Sequence, residues 1–346
     1  MSARQTRPRQ ADTHVRRGAG VGGPAGAWRR ALLGAGLVVA CGCASTLLRP
    51  ERAPHAVEPL PATLAAYYDY PDHAPQATRE LVRRSGKVAE YLVRFPLSSS
   101  GFEPTEPVVE FEWFETSGAG RRPAILLNPI LGGDYPLERG ICRFFAAHGF
   151  HVALVHRKTL KIAPDQAPDY IELLLRQGVV RIRQVVDWMA AQETVDPARL
   201  GSFGISMGGI AGVLAAAIEP RLKAHVIGLA GGGVADILVS THDSLLAKPR
   251  SRYLRARRME LKDLDAALRQ AIVTDPIRLA PYVDPARLLM IMAVFDRTIG
   301  RGNALRLWQA LGRPQTAWLP LGHYTSYLAL PYVKRASLCH FRRNLP

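Results

Sequence analysis

The chain has 346 residues, 48% hydrophobic and 21% charged, a composition that suits a packed core and excludes a wholly disordered chain. Its formal charge of +16 is unevenly placed: residues 1–40 hold seven arginines and one aspartate, a net of +6, which leaves +10 for the rest. Much of the excess therefore belongs to a leader, and no nucleic-acid partner is expected.

Trp28-Arg29-Arg30 runs straight into the apolar stretch ALLGAGLVVA, Ala31 to Ala40. As a helix that stretch rises only ~15 Å, against a hydrocarbon core of ~30 Å, so it reads as a secretory signal and not as a membrane span. The end of the run, VVAC (Val38 to Cys41), resembles the lipobox of bacterial lipoproteins. There a small residue, here Ala40, precedes the cleaved bond, and the thiol after it carries diacylglycerol. The resemblance implies a signal peptide over 1–40, lipidation of Cys41 and membrane attachment through that lipid. It implies a place in the bacterial cell envelope, on the outer membrane or on the periplasmic side of the inner one. Arg29-Arg30-Ala-Leu-Leu also loosely resembles a twin-arginine signal, so both export routes stay open. Gly18-Ala-Gly20-Val-Gly-Gly23 matches G-x-G-x-x-G, but no strand precedes it, and it is not read as a nucleotide site.

Residues 44–62 carry four prolines and no apolar period, so 41–62 reads as lipid anchor and tether. The folded body is expected over 63–346. Gln76 to Ala89 looks helical, and KVAEYLVRF and PVVEFEWFE look like strands. From Pro123 onward short apolar runs alternate with helical patterns. AILLNPI, HVALVH, RLGSFGIS, HVIGLAG, RLLMIMAVFD and TAWLPLG are the expected strands. Helices are expected at LERGICRFFAAHG, DYIELLLRQGVVRIRQVVDWMAAQ, MGGIAGVLAAAIE and NALRLWQAL, with a last one from about Tyr324. Such continuous Val/Ile/Leu strands suit a parallel sheet covered on both faces, and the alternation implies right-handed crossovers. The alternation lapses over Val234 to Ala286, a helical, arginine-rich insertion between two strands. Arg250, Arg252, Arg255, Arg257 and Arg258 fall in it and read as a solvated face, or as an attraction for anionic groups. Cys142 and Cys339 fall in expected helices and either pair or stay as free thiols. No CxxC or Cys/His cluster is present, and no metal or organic cofactor is expected.

The chemistry gathers around RLGSFGISMGGIAG, Arg199 to Gly212. Ser206 sits where an expected strand meets an expected helix, with Gly204 and Gly208 two residues to either side. A sharp strand-to-helix turn strains the central residue and leaves no room for side chains beside it. It lifts the hydroxyl above the carboxyl edge of the sheet, near a helix N-terminus that favours negative charge. A serine needs a base, and the base needs an orienting group. Asp296 follows the next-to-last expected strand and His323 the last, both on that same edge. Asp275 and Asp284 are rival acids, each beside a proline, and Asp296 has the alternative of capping the next turn. His148, His151, His156, His225, His242 and His340 lie in no motif and read as structural or surface groups.

In the order Ser206, Asp296, His323 the chain resembles an α/β-hydrolase-fold serine hydrolase of the esterase and dienelactone-hydrolase-like kind, from about Lys87 to the C-terminus. The resemblance implies a mostly parallel sheet of about eight strands with helices on both faces, and a helical cap over 234–286. It makes Ser206 the nucleophile, His323 the base and Asp296 the acid. One oxyanion donor is then the Met207 N–H. The other comes from Asn128-Pro-Ile-Leu-Gly-Gly133, where Pro129 has no N–H, so Ile130 supplies it, or Leu131 with the register moved by one. Asp134 and Tyr135 adjoin this loop and are within reach of substrate. The expected function is hydrolysis of carboxylic esters, small or lipid. The alternatives are a serine peptidase of the same fold and a catalytically silent envelope lipoprotein that binds a partner.

Overall fold

A computed structural model describes residues 56–71, 76–132, 134–157, 166 and 168–346. The expected signal peptide, Cys41 and most of the tether lie outside these residues. The chain already meets the folded body at Glu58, whose N–H donates to the Pro281 carbonyl at 3.0 Å.

A short helix α1 (Ala62–Tyr67) is followed by three strands, β1 (Thr78–Ser85), β2 (Val88–Pro96) and β3 (Val108–Thr116). Strand–helix alternation then runs through β4 (Arg122–Asn128), α2 (Pro136–Ala147), β5 (His151–Val155), α3 (Pro168–Ala190), β6 (Val195–Ile205), α4 (Met207–Ile218) and β7 (Leu222–Gly228). Four helices follow: α5 (Val234–Ser240), α6 (Ser244–Arg257), α7 (Leu261–Ala271) and the single turn α8 (Pro276–Leu279). The chain closes with β8 (Leu288–Ala293), α9 (Arg301–Ala310), β9 (Gln315–Leu319) and α10 (Leu330–Asn344).

The nine strands form one sheet in the order β1-β2-β3-β5-β4-β6-β7-β8-β9. Pairings from β5 to β9 are parallel, and the first three strands join antiparallel. The parallel part is buried on both faces, which is why its strands are unbroken apolar runs. Along β4, Ala124 and Leu126 face a core shared with α3, α4 and α9, while Ile125 and Leu127 face a second core against α2 and α10. Phe145, Phe203 and Phe341 meet edge to face in the second core, with ring centroids 5.6 Å apart for each contact of Phe145.

Residues 76–89 depart from the sequence expectation. They form no helix. β1 pairs antiparallel with β2 through the two-residue turn Gly86-Lys87, with φ +55° at Gly86. The positive φ and the register from Ser85–Val88 to Thr78–Arg94 define a hairpin. Helix-favouring Glu80, Leu81 and Arg83 are overridden by that ladder. Every residue of β1 is exposed, so its sequence carries no period of two, and it is the strand that raises the number from about eight to nine. Arg79 anchors it by stacking 3.6 Å from the Tyr91 ring and pairing with Glu115.

Cys142 is buried in α2 and Cys339 exposed on α10, both as free thiols. Desolvation raises the Cys142 thiol well above its ordinary range, as suits a small core residue.

Candidate active site

Ser206 follows β6 and stands immediately before α4 with φ +57° and ψ −122°. A non-glycine residue in that conformation costs roughly 1–3 kcal/mol and persists only where its surroundings over-determine it. Here the Ser206 N–H donates to the Gly228 carbonyl at 2.8 Å, and its carbonyl accepts from the Ile210 N–H at 3.0 Å. The flanking glycines have a steric reason. A β-carbon on Gly204 would lie 2.0 Å from the Gly208 carbonyl oxygen, and one on Gly208 would lie 2.1 Å from the Asn128 carbonyl oxygen. The turn closes only because neither position has a side chain.

His323 and Asp296 come to this point from the ends of β9 and β8. His323 Nε2 lies 3.0 Å from Ser206 Oγ, and Nδ1 lies 2.7 Å from Asp296 Oδ2. A carboxylate only accepts, so Nδ1 carries the proton and Nε2 turns its lone pair to the serine hydroxyl. Asp296 is buried, and its other oxygen accepts from the N–H groups of Thr298 at 2.9 Å and Ile299 at 3.0 Å. It thus caps its own turn and holds the histidine at the same time. The rival acids are engaged elsewhere. Asp275 accepts from the N–H groups of Gly233, Val234 and Ile277, and Asp284 from that of Ala286. The His323 loop is closed by Ser326 Oγ and Ser326 N–H, both donating to the Gly322 carbonyl. Phe295 N–H donates to the Leu321 carbonyl at 3.0 Å and ties the acid and base loops together.

The serine opens into a cavity of about 1500 Å³. Its apolar wall is built by one face of α3 (Ile171, Leu174, Leu175) and by Ile210, Leu214 and Leu238. Val234, Ile237, Leu245 and Leu246 of the 234–286 insertion also line it. At the mouth Asp243 caps α6 by accepting from the Leu245 N–H at 2.9 Å. Its other oxygen accepts from Thr298 Oγ1 at 3.3 Å and from the Tyr324 hydroxyl. The insertion is thereby tied to the loops that carry Asp296 and His323.

On the far side of Ser206 lies the Asn128–Tyr135 loop. Met207 is the first residue of α4, where N–H groups have no intrahelical acceptor, and that N–H is available beside the serine. Ile130 does not meet its expectation as the second donor, because its N–H is given to Oε1 of buried Glu138 at 2.9 Å. Leu131 lines the cavity. Tyr135, buried and left-handed at φ +54°, exchanges hydrogen bonds with the backbone of Arg157, so its hydroxyl is spent on structure. Asp134 is exposed and accepts through its carbonyl from Arg139.

Several charged groups of the site had no sequence signal. His156 stacks on Tyr135 and places its two ring nitrogens 2.8 Å from Glu110 and 3.0 Å from Glu112. Burial acts against the Glu112 carboxylate, but the hydrogen bonds from His156 and Arg139 hold it down at about 2. Arg157 lines the cavity, and desolvation pushes its guanidinium down to about 10. Arg181, also on the cavity wall, donates to Glu106 at 2.7 Å.

The chain has the α/β-hydrolase fold. The profile of the prolyl oligopeptidase family matches residues 169–321, short of half the chain. Acetyl xylan esterase 1 from Thermoanaerobacterium sp. JW/SL YS485 is similar with a TM-score of 0.60 and 15% identity, over 81% of this chain and 95% of that one. Acetyl xylan esterase from Paenibacillus sp. R4 gives 0.61 and 17%, over 79% and 90%. An uncharacterized protein of Mycobacterium tuberculosis (strain ATCC 25618 / H37Rv) is 28% identical over 158 residues, 45% of this chain. The chain spans only 35% of the length of that curated relative.

Proposed function

We propose that the protein is a serine hydrolase that cleaves carboxylic esters through an acyl-enzyme on Ser206. The observation that carries this reading is the relay itself, with Ser206 Oγ, His323 and Asp296 in line at 3.0 and 2.7 Å on a backbone turn held in strain. Ser206 Oγ attacks the ester carbonyl while its proton passes to His323 Nε2. Asp296 keeps the proton on Nδ1 and supports the imidazolium. The tetrahedral oxyanion rests on the Met207 N–H and on a donor from the 128–133 loop. Collapse breaks the bond to the leaving alkoxide, which takes the proton from Nε2, and water repeats the sequence to free the acid. The cavity of about 1500 Å³ and its apolar wall favour a bulky or lipid-like ester.

A second reading, cleavage of a peptide bond, is favoured by the match to the prolyl oligopeptidase family. An ester and its matching amide separate the two, the ester reading requiring faster ester turnover than the chemistry alone gives. A third, the silent binding protein, requires an unreactive Ser206. Treatment of wild type and Ser206→Ala with a fluorophosphonate tests it, read by intact mass. One adduct, mapped to Ser206 and absent in the variant, is the expected result, and an unreactive wild type contradicts the hydrolase reading.

The envelope location rests on the lipobox-like VVAC and remains part of the proposal. No helix among the described residues is long and apolar enough to cross a membrane. Mass spectrometry of the protein from a membrane fraction tests the anchor. A diacylglyceryl group on an N-terminal Cys41 is expected, and an unmodified N-terminus at Met1 contradicts it.

A further inference from the structure

The loop facing Ser206 is held by two charged side chains that the relay does not use, one buried (Glu138) and one half-buried (Arg157). Glu138, on the first turn of α2, takes the Ile130 N–H at 2.9 Å. Arg157, just past the end of β5, donates from one guanidinium nitrogen to the Ile130 carbonyl and, at 3.4 Å, to the Pro129 carbonyl. The two ends of a single residue are thus gripped from opposite sides, by an anion on its donor and a cation on its acceptor. Pro129 fixes the backbone just before the grip. Asn128 is fixed too, because its carbonyl lies against Gly208, where a β-carbon would be 2.1 Å away. Arg157 is itself held, its N–H donating to the Tyr135 hydroxyl at 3.1 Å and its carbonyl accepting from that hydroxyl at 2.6 Å. Among the described residues the hydrogen-bonding partners of the Arg157 guanidinium are the carbonyls of the loop. Its depressed guanidinium, at about 10, still carries charge at neutral pH. With Ile130 fully engaged, the next N–H in the chain is that of Leu131, on the cavity wall.

We infer that Glu138 and Arg157 are positioning residues that aim the Leu131 N–H at the oxyanion formed on Ser206. This rests on the acyl-enzyme reading and deepens it. Each acts through the Ile130 peptide, and the loop is set before substrate arrives, which is when an oxyanion donor is most effective.

The test uses the full chain with an oxygen ester and its thionoester, in which sulfur replaces the carbonyl oxygen and accepts hydrogen bonds poorly. In wild type the oxygen ester is expected to be favoured strongly. Glu138→Leu and Arg157→Met are each expected to lower kcat for the oxygen ester by roughly 10- to 100-fold, below the full cost of a lost donor. KM stays within about twofold, as for an interaction made only in the transition state. The preference over the thionoester shrinks by the same factor. Glu138→Gln, which can still accept from Ile130, restores most of the rate, and Arg157→Lys restores part. A merely structural role predicts lower thermal stability with the oxygen-to-sulfur preference unchanged, and that result overturns the inference. Variants that match wild type in kcat overturn it while leaving the hydrolase reading intact. If wild type turns over neither ester and a fluorophosphonate leaves Ser206 unmodified, the hydrolase reading falls first, and this inference with it.

Discussion

The two sides of the site are built differently. On the relay side, the turns that carry the reactive groups are shaped by backbone geometry and by backbone hydrogen bonds. Ser206 sits between close-packed glycines, Asp296 accepts from residues two and three ahead of it, and the His323 loop closes on Gly322. On the oxyanion side, Asn128–Leu131 is held by side chains that arrive from α2 and from the end of β5. The relay side is set by local backbone geometry that few residue types permit. The loop side depends on charged side chains from outside the loop, which different sequences can supply in different ways.

Substitutions that break the relay have the largest expected effect. Ser206→Ala lowers kcat by about 10⁴- to 10⁶-fold if the acyl-enzyme is obligatory, measured on a para-nitrophenyl ester after removal of any contaminating esterase. Asp296→Asn follows, with a loss of about 10⁴-fold, because the amide no longer fixes the Nδ1–H tautomer. Its stability changes little if Oδ1 keeps the Thr298 and Ile299 N–H groups, which a urea titration checks. Gly208→Ala strikes a point where the two sides touch. A β-carbon 2.1 Å from the Asn128 carbonyl forces the turn and the loop apart. The expected cost is about 3 kcal/mol of stability or more, together with loss of turnover. A fully active Gly208→Ala protein of unchanged stability would mean that the two sides are not in contact.

The smallest effect separates the site from the frame behind it. His225 is fully buried with Nδ1 2.8 Å from Ser202 Oγ, and burial pushes it down from 6.5 to about 3. His340, bonded to the Arg287 carbonyl, is pushed from 6.5 to about 4 by the same cause. Both are neutral in the folded protein where the unfolded chain begins to take up protons. Their contribution to stability is therefore full above pH 6.5 and falls as the pH drops toward 4, by up to about 1.4 kcal/mol per pH unit for each histidine. Urea midpoints measured at several pH values check this, and His340→Gln is expected to reduce the slope by up to one proton. An unchanged slope would mean that His340 protonates freely in the folded state.

This contrast also explains what could be read from the sequence. Gly204, Ser206 and Gly208 were legible because a turn that tight permits few residue types. Asp296 and His323 were legible because each follows its own apolar strand. The parallel sheet was legible because burial on both faces leaves continuous apolar runs. β1 was not, since an edge strand exposed along its whole length leaves no period, and the turn at Gly86 was its signal. The Ile130–Glu138 bond was not legible either. The resemblance implies Ile130 as a donor to the oxyanion, but a carboxylate eight residues further on takes its N–H. Arg157 and Arg181 carried no motif, and only the fold brings them to the cavity.

The central claim is that acyl transfer passes through Ser206, and trapping the acyl group tests it most directly. The full chain is mixed with excess para-nitrophenyl ester, quenched in acid within the first turnovers and digested. The account predicts one acyl group on the peptide that holds Ser206, a nitrophenol burst that scales with enzyme concentration where deacylation is the slower step, and neither in Ser206→Ala. An acyl group on another residue, or turnover that survives in Ser206→Ala, would contradict it.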